Sequence, residues 1–165
     1  MKHKRAQTEV RIRGFARMQI GERQLDGSIR LVGDSGWRKN TLTNPDAGGL
    51  TAYIAAKVGD VSGSKTPTHL QIATQTAAMN ATQTSLTGET RVRKALTAST
   101  IATGTLRMTA SWSSTDNAAA ITIGAIGVYN TSTAGAGTLA SGALFTTSQW
   151  ASNQDLSATY EWRFS

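Results

Sequence analysis

Alternation of apolar and polar residues over short stretches dominates this chain, and that pattern is typical of β-strands with one buried face. In residues 156–164 every second residue is Leu, Ala, Tyr, Trp or Phe, and in 105–113 Leu, Met, Ala and Trp alternate with polar residues. Less regular versions of the pattern predict further strands at 9–20, 29–31, 69–74, within 86–96, 120–129 and 139–147.

Glycines mark the predicted irregularities in these strands. Asp26-Gly27 predicts a tight hairpin turn, because that dipeptide suits the positive φ angles of such turns. In residues 9–20 the apolar positions change phase, and this predicts a bulge at Gly14. A second change of phase is predicted at the glycines within 120–129.

One segment follows a helical period instead, and it predicts a short α-helix near residues 45–58. Asn44 is a suitable N-cap, because its side-chain oxygen can accept from the first free N–H groups. Pro45 fits the first helical position, where its missing N–H has no cost. Three apolar residues then recur at three- and four-residue steps and share one face, namely Leu50, Tyr53 and Ile54.

Many short strands with one helix predict a mainly β fold, an antiparallel β-sandwich of jelly-roll-like character. The 165 residues are enough for a single domain with its own core. We therefore predict a basic N-terminal arm at 1–9 and one β-sandwich domain at 10–165. The chain has no apolar run of the roughly 20 residues that a membrane helix needs, so no membrane partner is expected.

Positive charge is concentrated near the start of the chain. Residues 1–39 hold ten Lys or Arg against four Asp or Glu, which accounts for +6 of the total formal charge of +7. Such an asymmetry predicts an acidic partner, although a solvated strand face with a free tail would give the same pattern. The predicted partner-binding residues of the arm and hairpin are Lys2, Lys4, Arg5, Arg11, Arg13 and Arg17.

Several motifs were weighed as catalytic or cofactor sites. Residues 33–36 read Gly-Asp-Ser-Gly, as around a protease nucleophile, but the only histidines are His3 and His69 and no triad is indicated. Residues 59–66 are one substitution from a phosphate-binding loop, but Ser64 replaces a required glycine and a helix precedes them. We predict a turn at the first place and a surface loop at the second.

Residue composition also argues against a metal or cofactor. The chain has no cysteine, and His69 has no His, Cys or acidic residue at metal-ligand spacing. The four tryptophans could stack bases or sugars, but such residues more often anchor a core or an interface. We therefore expect no catalytic residues, no bound cofactor and no metal. Direct contact with nucleic acid is not expected either, since no nucleic-acid-binding signature is present.

The order of motifs over residues 36–165 resembles a group of tailed-bacteriophage virion proteins. Trp37-Arg38-Lys39-Asn40-Thr41-Leu42-Thr43-Asn44 before a short helix is similar to their opening motif. The segments that resemble their later motifs are 69–74, 84–91, Ile123-Gly124-Ala125-Ile126-Gly127-Val128-Tyr129-Asn130, 139–145 and 160–164. Two positions depart from the pattern, since Ala125 replaces the usual Glu and Gln75 replaces a Gly.

This resemblance implies a structural protein of the virion and not an enzyme. Its members serve as head decoration proteins, as collar or neck components, or as tail-fibre and baseplate parts. We expect a capsid decoration protein in many copies, with a tail or collar component of adhesive role as the alternative. Its partners would be copies of itself, in a trimer or higher ring, and the major capsid or tail proteins. A free carbohydrate- or nucleic-acid-binding module is the alternative hypothesis from a different class of function.

Overall fold

A computed structural model describes residues 11–43, 49–58 and 66–165. It is mainly β, with two antiparallel sheets and one short helix, which confirms the predicted β-sandwich. Sheet I runs in the order β2 (Ile29–Asp34), β1 (Ile12–Arg23), β11 (Gln154–Phe164), β8 (Thr105–Trp112) and β7 (Thr97–Ala102), with β3 (Arg38–Lys39) also paired to β1. Sheet II runs in the order β4 (Thr41–Leu42), β10 (Leu139–Trp150), β9 (Ile121–Tyr129), β5 (His69–Ala73) and β6 (Glu89–Ala95).

The core lies between the two sheets and follows from the alternation. The even-numbered residues of β1, β8 and β11 point into it, as the sequence predicts for β8 and β11, and meet apolar residues of β5, β9 and β10. Its largest fully buried side chains include three of the four tryptophans, Trp112, Trp150 and Trp162. These three act as core anchors, whereas the fourth, Trp37, is 40% exposed.

The bulge predicted at Gly14 is wrong. β1 pairs with β11 in unbroken register from Ile12 to Glu22, so Gly14 takes its regular inward position. Glycine is needed there for space, because a β-carbon at this position would overlap the side chain of Asn40. The phase change read from the sequence arose from Phe15, which lies on the outward face of the sheet.

The phase change predicted in β9 is confirmed. Ile123 and Ile126 both belong to the central core although their positions differ by three. The pairing of β9 with β10 is irregular at this point, between Leu144 and Ser148. A β-carbon on Gly124 would come within 2.5 Å of the backbone oxygen of Gln75, so the neighbouring loop also requires glycine there.

The helix is confirmed over Gly49–Val58, while the predicted cap and first turn at 44–48 lie outside the described residues. Leu50 is buried, and Tyr53 and Ile54 pack against the core, as the apolar stripe predicts. The ring of Tyr53 lies 5.7 Å from that of Trp162 at 51°. No described helix has the length and apolarity needed to cross a bilayer.

Three further strands, β3, β4 and β7, were not expected from the sequence. The dipeptides β3 and β4 are too short to carry a pattern. β7 holds only Thr, Ala, Ser and Ile, and all six residues are exposed, so no alternation of apolar and polar residues marks it. It is the edge strand of sheet I next to β8.

Candidate functional site

The three described residues of the predicted basic set lie on one face. Arg11, Arg13 and Arg17 occupy odd positions along β1 and its extension, where Arg11 and Ser165 exchange backbone hydrogen bonds. Odd positions of β1 face away from the core, so all three belong to the outer face of sheet I. The remaining predicted residues, Lys2, Lys4 and Arg5, lie outside the described residues.

One row of side chains crosses the outer face from β8 to β3. Strand register places Arg107, Glu161, Phe15 and Lys39 side by side. The neighbouring row sets Arg163 directly opposite Arg13. We call these six residues the basic end of the outer face, which carries four cations and one carboxylate.

Glu161 is buried although it stands on the outward side of the sheet, with only 2% of its side chain exposed. Arg107 donates to its Oε1 from Nε and Nη2 at 3.0 and 2.7 Å. Arg163 donates to its Oε2 from the same pair of nitrogens at 3.0 and 2.7 Å. The guanidinium carbon of Arg163 also lies 4.4 Å from the centroid of the Phe15 ring. One carboxylate therefore fixes two arginines.

Opposing effects act on the pKa of Glu161. Burial by itself disfavours the charged form, but the hydrogen bonds from Arg107 and Arg163 more than offset it and hold the pKa below its usual value. The carboxylate is therefore ionised at neutral pH. The two guanidinium groups exceed it by one positive charge, and they remain 39% and 48% exposed.

Arg17 is bound within the hairpin. Its Nε lies 2.9 and 3.1 Å from the two carboxylate oxygens of Asp34, and its Nη2 contacts Oδ2. Hydrogen bonds from Arg17 are the main cause that lowers the pKa of Asp34 to about 2. Arg17 is therefore mainly a structural residue of the hairpin, and we expect it to contribute little to binding a partner.

Replacing Asp34 by Asn is expected to make the free energy of unfolding vary less with pH in the acid range. The carboxylate ionises with a pKa of about 2 when folded against a reference value of 3.8, so its stabilisation is complete above about pH 4 and is lost as the pH falls towards 2. In urea unfolding from pH 2 to 7, the wild type should have a larger free energy of unfolding than Asp34→Asn at neutral pH. The two values should become equal near pH 2. A constant gap across that range would refute the ion pair's role, and Arg17→Gln should reproduce the same convergence.

The middle of the outer face is rich in hydroxyl groups over β7, β8 and β11, and Arg17 at its β1 end is paired with Asp34. Paired rows set Thr97 beside Thr109, Thr109 beside Thr159, and Ser111 beside Ser157. Such side chains are short and uncharged, so no long or charged group projects from these positions of β7, β8 and β11. Short hydroxyl side chains can meet another protein surface closely without burying unpaired charge.

The opposite end of the outer face carries a cavity of about 470 Å³. Gly21 forms part of its floor, and Ile29 and Leu31 stand at its edge with 57% and 55% of their surfaces exposed. Polar groups converge on it from Gln19, Lys94, Ser111, Ser113, Asp116, Asp155 and Ser157. Contiguous exposed apolar side chains next to a cavity are typical of a contact site.

Residues weighed as catalytic have structural partners. The hydroxyl of Ser35 in the Gly-Asp-Ser-Gly turn accepts from the backbone N–H of Met18 and donates to the carbonyl of Gly36. His69 pairs its Nδ1 with the hydroxyl of Thr68 at 2.7 Å, and burial together with the charge of Arg93 lowers its pKa. Within the described ranges, no group of three or more His, Cys, Asp or Glu could hold a metal ion. The loop that resembles a phosphate-binding loop lies almost wholly outside them.

Sequence reasoning missed Arg107, Glu161 and Arg163. Arg107 is 54 residues from Glu161 along the chain, and Phe15 is farther still from all three. Only the pairing of β8, β11 and β1 brings these side chains together. The available signal was the alternation in β11, which places Glu161 and Arg163 on the outward face. No family model, curated protein or solved structure matches this chain, so the resemblance to phage virion proteins stays a prediction.

Proposed function

We propose that this chain is a structural protein of a tailed-bacteriophage virion, a capsid decoration protein that coats the particle in many copies. The order of motifs over residues 36–165 is the basis of the assignment to phage. The observation that carries the structural role is the outer face of sheet I, which presents a basic end, a hydroxyl-rich middle and an apolar end on one sheet. This arrangement suits contact with large surfaces.

The two ends of the face suit different neighbours in such a coat. Exposed Ile29 and Leu31 beside the cavity would meet a neighbouring copy, since closed rings of one chain bury apolar patches between subunits. The basic end would meet an acidic shell protein. A trimer or higher ring would leave every copy with the same orientation towards the shell.

A tail or collar component with an adhesive role is the second candidate, and the cavity favours it. Apolar side chains with a few convergent hydroxyl, amide and carboxylate groups are what small-ligand sites use to fix orientation. Ser111, Ser157 and Asp155 supply such groups at the cavity. In that role the chain would occur in few copies at the tail.

The location and copy number on purified particles test both candidates. Antibodies against the purified chain should label the heads of the phage that encodes it, and quantitative mass spectrometry should count many copies for each particle. A few copies at the tail would replace the first candidate by the second. Absence of the chain from purified particles would overturn the proposed function in both forms.

A further inference from the structure

We propose that the basic end of sheet I is a receptor for carboxylate side chains of an acidic protein segment. That partner is a virion protein if the proposed function holds, but the site itself is defined by its chemistry. It uses three residues that the amino-acid pattern did not single out, Arg107, Glu161 and Arg163.

The first argument is orientation. Arg107 and Arg163 each turn the edge formed by Nε and Nη2 towards Glu161. Because a guanidinium is a planar fork, the other Nη of each group points away from Glu161. A free arginine side chain would lose rotamer freedom on binding, and here Glu161 has already fixed two of them.

The second argument is the concentration of like charge. Arg13 stands directly opposite Arg163 across the strand pair, and like charges at such positions are unfavourable in an isolated sheet. Lys39 adds a further cation beside Phe15. Neither Arg13 nor Lys39 forms an ion pair with the described residues, and both are exposed. A bound anion between these groups would relieve the repulsion.

The third argument concerns what could supply the anion. Six of the seven acidic residues in the described ranges already form ion pairs, and the seventh, Asp26, accepts two hydrogen bonds from Ser28. The described part of a second copy therefore offers little complementary charge. A different chain with clustered Asp or Glu fits better.

Carboxylates are favoured over a nucleic acid by the surface itself. Single-stranded nucleic acids bind where successive bases can stack on aromatic rings. Phe15 is covered by Arg163. Among the described residues, this leaves Trp37, two residues before Lys39, as a single exposed ring next to the basic end. Fixed guanidinium forks match the planar, bidentate geometry of a carboxylate.

Titration of the purified chain with a fluorescent oligoglutamate peptide tests the site, with a single-stranded oligonucleotide of equal charge in a parallel arm. The wild type should bind the peptide with an affinity that falls as salt rises. Arg13→Gln/Lys39→Gln should bind it about tenfold more weakly. Arg23→Gln/Arg30→Gln, which removes the same charge from the far end of β1 and β2, should stay within about twofold.

Glu161→Gln separates a built site from a diffuse charge effect. This change raises the net charge by one, so attraction by net charge alone would tighten binding, whereas loss of the fixed forks should weaken it about threefold or more. Melting temperatures of all variants show whether each remains folded, and binding is measured well below them.

Three results would overturn the proposal. These are equal or tighter binding of the oligonucleotide, equal losses in the two double variants, and tighter peptide binding by Glu161→Gln. A fall in self-association of Arg13→Gln/Lys39→Gln, followed by sedimentation, would assign the surface to a second copy instead. The titration uses no phage particle, so its failure is distinct from absence of the chain from virions.

Discussion

Arg93→Ala is expected to lower the free energy of unfolding by about 3–5 kcal/mol, because it leaves a buried carboxylate without its partner. The Arg93 side chain is fully buried and pairs with Glu89, itself only 9% exposed, at 2.9 Å. Its guanidinium carbon lies 3.6 Å from the centroid of the Tyr129 ring. It also donates to the carbonyls of Thr131 and Ala136 at 3.2 and 2.8 Å.

One side chain thus joins β6, β9 and the loop between β9 and β10. Burial, followed by the nearby carboxylate of Glu89, raises the pKa of the Tyr129 phenol, so Tyr129 stays neutral and its ring face remains available to the cation. Without the guanidinium, the two loop carbonyls lose a charged donor. The loop should then exchange its amide hydrogens faster than in the wild type.

Urea denaturation at pH 7 measures this effect, with Arg30→Ala as the control. Arg30 also pairs with a glutamate, Glu22 at 2.6 Å, but 65% of its side chain is exposed, so its loss should cost less than about 1 kcal/mol. Replacing both buried partners, in Glu89→Leu/Arg93→Met, should restore part of the lost stability. Equal losses for Arg93→Ala and Arg30→Ala would show that the buried pair has no special role.

Elements with a strong local pattern were predicted well from the sequence. β8 and β11 alternate over seven or more residues, and apolar residues of the helix recur at helical steps from Leu50 to Ile54, so burial of one face is enough to specify these elements. Asp26-Gly27 forms the hairpin turn, where Gly27 has a φ of 83°. The strand pattern was equally informative in β1, but an outward aromatic residue, Phe15, was misread as an inward one.

What the sequence could not supply was pairing between distant segments. Residues Arg13, Arg107 and Arg163 carry no mutual signal along the chain, and their proximity depends on β11 lying between β1 and β8. Arg17 and Arg13 look alike in sequence, yet Asp34 neutralises only the first. The strength of a basic site therefore depends on which cations the fold has already paired.

Among core residues that contact the helix, Trp162 should be the most sensitive to substitution. Trp162→Ala is expected to lower the free energy of unfolding by about 3–5 kcal/mol, because it removes buried apolar surface and leaves a cavity. Trp162 is fully buried and packs in a tilted arrangement against Tyr53 of the helix. Its Nε1 donates to the hydroxyl of Ser141 at 3.0 Å. Trp162→Phe keeps much of the side-chain volume and should lower the free energy of unfolding by less. Urea denaturation measures the loss.

Trp112→Ala is the matched control, because it creates a similar cavity at the other end of the β8–β11 pair. Trp112 is also fully buried, but its indole donates to the carbonyl of Val92 in β6. Amide hydrogen exchange over Gly49–Val58, compared under conditions of equal global stability, should quicken in Trp162→Ala and not in Trp112→Ala. Similar exchange in both would mean that Trp162 does not hold the helix. Because Glu161 and Arg163 flank Trp162 on β11, the same variant should also loosen the basic end and weaken oligoglutamate binding.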